Sequence, residues 1–457
     1  MKREDYPLPK TDTAPFLHYV LAGTKSVSRV YPRSELRAER DRAVASLDEA
    51  GLSPGDTFLL CMDANRVEDL VWRLAAEVTQ TIPVTVNWQA DTIDRIRFKR
   101  ERTNVKAVAV ASGFAFREHP EFTGSLEGCT RLVLASDTEP STSQVRPSPG
   151  DSSPRIVIFT SGTTGEPKPV SLSYRAYRTN QLVFEDFLQV GPEERLTLVV
   201  TNPLHHANST AITDWAMRRR GTELFLFERF SRAFWSALVS IVEGAKGRVI
   251  VPAVSRHFDV LESLEEQGKL GVETSRLKAA LAKVTFLVGS APVGPNTVGV
   301  FEKWTNAAPT VRFGSTELCL QSIGISPAWS TERVKEAFQR GWSHRADTQP
   351  LTGFLIGRAH PPWTEARVVA SVDPAESNFM VETPPGVLGR LVVRSACAFT
   401  EYWADSPSTE AVFNEGWYVG LGDHAFTLAS TEDGEPDFYW VGRDAGLMIR
   451  ATSSAAP

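Results

Sequence analysis

Cysteine is scarce. The 457 residues hold four, Cys61, Cys129, Cys319 and Cys397, far apart and without a C-x-x-C pair, which points away from a disulfide framework or a cysteine-built zinc site and toward a reducing compartment. Long apolar runs are missing too: none approaches the ~20 residues of a membrane span, and the opening MKREDYPLPK lacks the apolar core of a secretory signal. Excess charge of one sign is absent. The 49 basic and 55 acidic residues give a net charge of −6 with no long run of either, which argues against nucleic acid or an anionic membrane as the main partner. No short fixed period repeats, and the closing SSAAP carries no retention or peroxisomal tag. Cytoplasm is the default expectation.

What is present is an ordinary soluble composition, 42% hydrophobic and 23% charged, on a chain long enough for two or three subdomains. From about residue 34 helical and strand patterns alternate. Ser34 is placed to cap a helix carrying Leu36, Ala43, Val44 and Leu47 and ending near Gly51. Val67, Leu70, Val71, Leu74 and Ala75 recur at helical spacing. Strands are expected at TFLLCM, IPVTV, KAVAV and RLVLA, and, after a Ser/Pro/Thr/Asp-rich linker at 137–154, at RIVIF, LTLVV, TELFLF, RVIVPA, TFLVGSA and TVRFGS. Beyond residue 345 the texture changes to short strands such as ARVVASV, GRLVVRS and FYWVGR. The expected fold class is α/β: two doubly wound α/β subdomains, 14–150 and 151–320, plus a small mostly-β subdomain, 345–440.

One stretch demands a ligand. IFTSGTTGEPKPV, residues 158–170, sets two glycines, several hydroxyls and a lysine behind a β-branched run. Gly162 and Gly165 let backbone approach closely, Thr160, Ser161, Thr163 and Thr164 donate, and Lys168 adds a mobile cation, a set suited to the acceptor oxygens of a polyphosphate. The Walker loop is a poor fit: two residues separate the glycines, and Pro169 follows Lys168 where that motif needs a metal-binding hydroxyl.

TSGTTGEPKP resembles the phosphate loop of the adenylate-forming enzymes, the superfamily of AMP-forming acyl-CoA synthetases, luciferases and peptide adenylation domains, with Pro169 where glycine is usual. The likeness runs from about residue 28 to about 450. It implies an AMP-binding domain over 14–440, with 441–457 a hinge remnant, and ATP, Mg²⁺ and, for thioester formation, CoA as the cofactors of a small carboxylic acid's activation. FGSTEL resembles the family's aromatic-G-x-T-E motif, which implies Thr316 near the α-phosphate and Glu317 as a Mg²⁺ ligand. Gly289, Ser290, Ala291 and Pro292 in VGSAP match the segment lying along adenine. NPLHHANSTA places His206 at the acyl pocket, GWYVGLGDHAF puts Asp423 at the ribose hydroxyls, and VGRDAGLMIR puts Arg443 at the ribose. Thr210, Trp215 and Cys319 read equally well as pocket lining or as core.

The resemblance has gaps. Leu421 stands for a threonine, Gly446 for an aspartate or lysine, and seven residues follow Arg450, where the family has a mobile C-terminal domain of roughly a hundred residues bearing a lysine that meets the α-phosphate. No lysine follows Lys335. Three readings follow: an AMP-forming ligase, a catalytically impaired nucleotide- or acyl-binding homologue, or an enzyme completed by a partner chain supplying that domain.

Overall fold

A computed structural model describes residue 8 and residues 11–134, 149–160, 166–319, 321–346 and 349–444. These fall into two compact units. The first takes the chain up to Gln181, Glu193–Val249 and Phe399–Ser406; the second takes Leu182–Pro192, Ile250–Ala398 and the chain from Pro407.

In the first unit the apolar runs pair as a sheet in the order Glu401–Tyr402, Pro169–Ser173, Pro154–Phe159, Ile82–Thr85, Thr57–Cys61, Ala107–Val110, Thr130–Leu132. The last five lie parallel to one another, as the uninterrupted apolar character of TFLLC and AVAV requires of strands covered on both faces. All five residues of Thr57–Cys61 are buried, and each large apolar side chain so buried is worth ~1.5–3 kcal/mol. The helix Val67–Thr79 turns Val67, Leu70, Val71, Leu74 and Ala75 inward, as their spacing predicted. A second set of strands runs Arg29–Pro32, Pro15–Val20, Thr222–Phe227, Leu196–Val200.

The helix expected to begin at Ser34 starts at Arg33, and its N-cap is Pro32 without a side-chain cap bond. The Ser34 amide donates instead to Asp12 O at 3.0 Å, a tertiary partner that removes the need for a capping hydroxyl.

Charge also holds this unit. Glu77, Arg155, Asp214 and Arg218 form a buried quartet: Arg155 meets Asp214 directly and Glu77 at 3.3 Å, while Arg218 meets Asp214 at 2.9 Å and Glu77 at 2.6 Å. It joins the helix Val67–Thr79, the helix Ala207–Arg218 and the strand Pro154–Phe159. Thr210 and Trp215 on that second helix are buried at 0% and 1% exposure, and Thr210 shares a hydroxyl hydrogen bond of 2.7 Å with Tyr177.

The second unit opens with the end of the strand Arg248–Ala253. Beside it lies Val284–Val288, then Thr310–Phe313 in parallel, with Val288 opposite Val311. The sheet continues as an antiparallel series through Ile323–Gly324, Phe354–Ala359, Pro436–Arg443, Asp423–Ala429 and Gly389–Ser395, on which Thr364–Val369 also pairs. Phe426 stacks on Tyr439 with ring centroids 5.1 Å apart, filling the core of this mostly-β part.

Candidate functional site

The strands Pro154–Phe159 and Pro169–Ser173 are antiparallel, with Phe159 opposite Pro169, so the loop between them is a hairpin. Its stem is closed twice: the Thr160 amide donates to Lys168 O at 3.0 Å, and the Lys168 amide donates to Thr160 Oγ1 at 3.0 Å. Lys168 is exposed, its ammonium 4.7 Å from the Tyr402 ring centroid. A cation–π contact at an open site is worth ~0.5–1 kcal/mol, small enough for a phosphate to displace. Ser161, Gly162, Thr163, Thr164 and Gly165 lie outside the described residues.

His206 occupies the N-cap position of the helix Ala207–Arg218. It is exposed on its open side, yet crowding by protein on the others, with a smaller push from Lys99, holds its imidazole below the ordinary range. Its neighbour His205 is 5% exposed, with ring centroids 4.3 Å apart. Burial first, then the nearby His206 and Lys99, keeps His205 neutral. Trp88 packs edge-on against His205 at 5.7 Å and 85°, and the Arg229 guanidinium covers Trp88 at 4.8 Å.

In the second unit the ends of two parallel strands carry two of the motifs. Gly289 follows Val284–Val288, donating its amide to Ala253 O at 3.2 Å. A Cβ there would stand 3.1 Å from Arg312 O, so only glycine lets the strands run this close without a shift. Ser290, at φ 68°, turns the chain outward at a conformational cost of about 1 kcal/mol or more, and Ser290, Ala291 and Pro292 are exposed. Thr316 and Glu317 follow the adjoining strand Thr310–Phe313 in a turn, with the Cys319 amide bonded to Thr316 O at 3.1 Å. Ser315 Oγ just before them is buried without a hydrogen-bond partner among the described residues. Cys319 is wholly buried, which makes it core here.

Asp423 and Arg443 stand opposite each other on paired strands. Asp423 is 1% exposed; its Oδ1 accepts from Trp440 Nε1 at 2.7 Å and from Arg443 Nε at 2.9 Å, while among the described residues Oδ2 has only a long contact of 3.5 Å to Arg443. Burial pushes the carboxyl up, with Arg443 and Trp440 pulling back. Against the pull of its own burial, Asp423, and to a lesser degree Glu317, raises Arg443, so Glu317 lies within electrostatic reach of the pair. Among the described residues no three His, Cys, Asp or Glu side chains gather as a metal cage. A single carboxylate such as Glu317 nonetheless fits Mg²⁺, which takes one or two protein oxygens and completes its shell with phosphate and water.

Tyr402 under Lys168 and Trp440 behind Asp423 were not singled out from sequence. Neither carries a local signal: Tyr402 is set by a strand partner more than two hundred residues away, and Trp440 by the antiparallel register with the preceding strand.

A model of AMP-binding enzymes, whose description reads "AMP-binding enzyme", matches residues 27–403. Among curated relatives, the fatty acid–[acyl-carrier-protein] ligase MmaC of Mycobacterium marinum is 34% identical over 448 residues, 93% of this chain and 75% of that protein. A sulfoacetate–CoA ligase of Cupriavidus necator is 28% identical over 314 residues, 68% of this chain and 52% of its own length; the chain therefore spans about half of such relatives. ATP-bound MatB from Rhodopseudomonas palustris shares the fold with a TM-score of 0.73 at 20% identity, over 96% of this chain and 78% of that one.

Proposed function

Because the chain belongs to the AMP-binding enzyme family, we propose that it is an AMP-forming ligase activating a carboxylic acid with ATP to an acyl-adenylate, which then passes its acyl group to the thiol of CoA. In the first step a carboxylate oxygen bonds to the α-phosphorus and pyrophosphate leaves; in the second the thiolate sulfur bonds to the acyl carbon and AMP leaves.

The observation that carries the reading is that the exposed 290–292 segment and the Thr316–Glu317 turn follow two adjacent parallel strands of the second unit, with Glu317 within electrostatic reach of Arg443 in the Asp423–Arg443 pair. In this reading, residues 289–292 lie along adenine, Asp423 holds the ribose hydroxyls through the oxygen Trp440 leaves open, and Arg443 gives up part of its hold on Asp423 to the ribose. Thr316 donates near the α-phosphate. Lys168, with Thr160 and the loop 161–165, neutralises the phosphate tail, since the work of this chemistry is positioning anions and offsetting charge. Bound at Glu317, Mg²⁺ would supply further neutralisation. His206 forms a wall of the acid pocket.

The comparisons do not favour a binding-only homologue, and they lend no support to a partner chain supplying a C-terminal domain. An acid-dependent exchange of labelled pyrophosphate into ATP, screened over a panel of acids, tests the proposal. The expected result is exchange with at least one acid. Mg·ATP binding and thermal stabilisation without exchange over aliphatic, aromatic and sulfonated acids would replace it with the binding-only reading.

A further inference from the structure

Among the buried charges of the first unit that the family motifs leave unexplained, Lys99 lies nearest the loop and the histidines. Lys99, on the helix Ile93–Arg102, is 4% exposed. Its ammonium donates to Asp91 Oδ2 at 2.5 Å and to Thr85 O at 3.3 Å, and lies 5.0 Å from the Phe159 ring centroid, at the foot of the hairpin loop. Burying such a pair is costly, and an apolar pair of similar volume is often as stable or more so. Core filling therefore does not account for it.

What the pair does hold is a turn. Thr85 ends a strand and Asp91 precedes the helix, so one ammonium ties both ends of the segment between them. Within it the Asn87 amide donates to Asp91 Oδ2 at 2.7 Å, the Asp91 amide to Asn87 O at 2.8 Å, and the Gln89 amide to Asn87 Oδ1 at 3.0 Å. Trp88 rides on this turn. It meets His205, whose two ring nitrogens are buried without hydrogen-bond partners among the described residues. No hydrogen bond thus fixes the imidazole's orientation; the rings on either side of it, Trp88 and His206, do.

We propose that Lys99, through its pair with Asp91, is a positioning residue for acid recognition: it sets the 86–91 turn, the turn presses Trp88 on His205, and His205 backs the His206 wall. This rests on the reading of His206 as part of the acid pocket. Lys99 touches no substrate.

Two variants separate positioning from mere stability. Lys99→Met leaves Asp91 buried and unpaired and lowers the Tm; Lys99→Met combined with Asp91→Leu removes both charges and restores most of it. The expected result is that both variants raise the KM for the acid about tenfold or more in the exchange reaction, as a displaced binding wall does, while the KM for ATP stays within about twofold of wild type. In fluorotryptophan-labelled protein the Trp88 resonance, assigned through Trp88→Phe, shifts in both variants. A double variant with wild-type acid KM and an unmoved Trp88 resonance would overturn the proposal, as would a parallel rise in both KM values. If the wild-type chain supports no exchange, the ligase reading fails on its own, and the Trp88 resonance alone decides whether Lys99 sets the turn: unmoved, it overturns the proposal.

Discussion

At the scale of single residues the sharpest test lies at Asp423. The side chain is almost wholly buried, and one of its oxygens already serves Trp440 and Arg443. In the proposed reading a ribose meets a carboxylate oriented in advance, with one oxygen largely uncommitted and one cation to displace. Asp423→Asn keeps the shape and removes the charge. Since hydrogen bonds to a charged group are worth about 1.5–3 kcal/mol, Mg·ATP binding by calorimetry should weaken roughly 10- to 100-fold. Trp440→Phe, which loses only the orienting donor, should cost less than about tenfold. Unchanged ATP affinity in the Asn variant would remove Asp423 from the ribose role. Asp423 stands out in the sequence only through the resemblance of GWYVGLGDHAF to a family motif; Trp440 does not, because its place depends on the antiparallel register that sets Trp440 beside Ala425.

At the scale of elements, the strand that leads into the 160–168 loop and the helix that begins beside His206 are held by the quartet Glu77, Arg155, Asp214 and Arg218. Burial alone would push the Asp214 and Glu77 carboxyls up, but Arg155 and Arg218 outweigh it and hold both below their ordinary values. Asp214→Ala leaves two buried guanidiniums short of a partner. The expected loss is about 3–5 kcal/mol, seen by scanning calorimetry as a fall on the order of 10 °C in the first unfolding transition; a fall of under about 2 °C would show the quartet to be a passive surface feature. The strand before the loop and the apolar face of Val67–Thr79 could be read from periodicity, because burial there is repeated along one element. The strand Pro169–Ser173 could not: it opens on a proline, alternates with serines, and is buried because Glu401–Tyr402 pairs with it from more than two hundred residues away. The Ser34 cap failed for the same reason, with Asp12 supplying from another segment what the sequence assigned locally.

At the scale of the whole molecule, the buried histidines set how stability responds to acid. His257 and His360 are each pushed down to about 4 by burial, and His205 lies well below its usual value for the same reason. In the unfolded chain all three titrate near 6.5. Between pH 6.5 and 4 the unfolded state therefore binds protons that the folded state refuses, so stability falls as pH falls across that window. A depression from 6.5 to about 4 corresponds to roughly 3 kcal/mol per histidine, fully felt only near pH 4. The carboxylates of the quartet act lower: held below 3.8 and 4.5, Asp214 and Glu77 lose their contribution only as pH drops past those values toward their folded ones. Asp69 and Asp437, raised by burial, act in the opposite sense and soften the acid end. The Tm should thus begin to decline below about pH 6.5, before the Asp214 and Glu77 carboxylates titrate. His257→Gln, whose side chain takes up no proton in either state, should flatten the Tm curve between pH 7 and 4.5 relative to wild type, as should His360→Gln. Curves running parallel to wild type over that range in both variants would mean that these imidazoles are protonated in the fold, and the pH dependence would have to be sought elsewhere in the molecule.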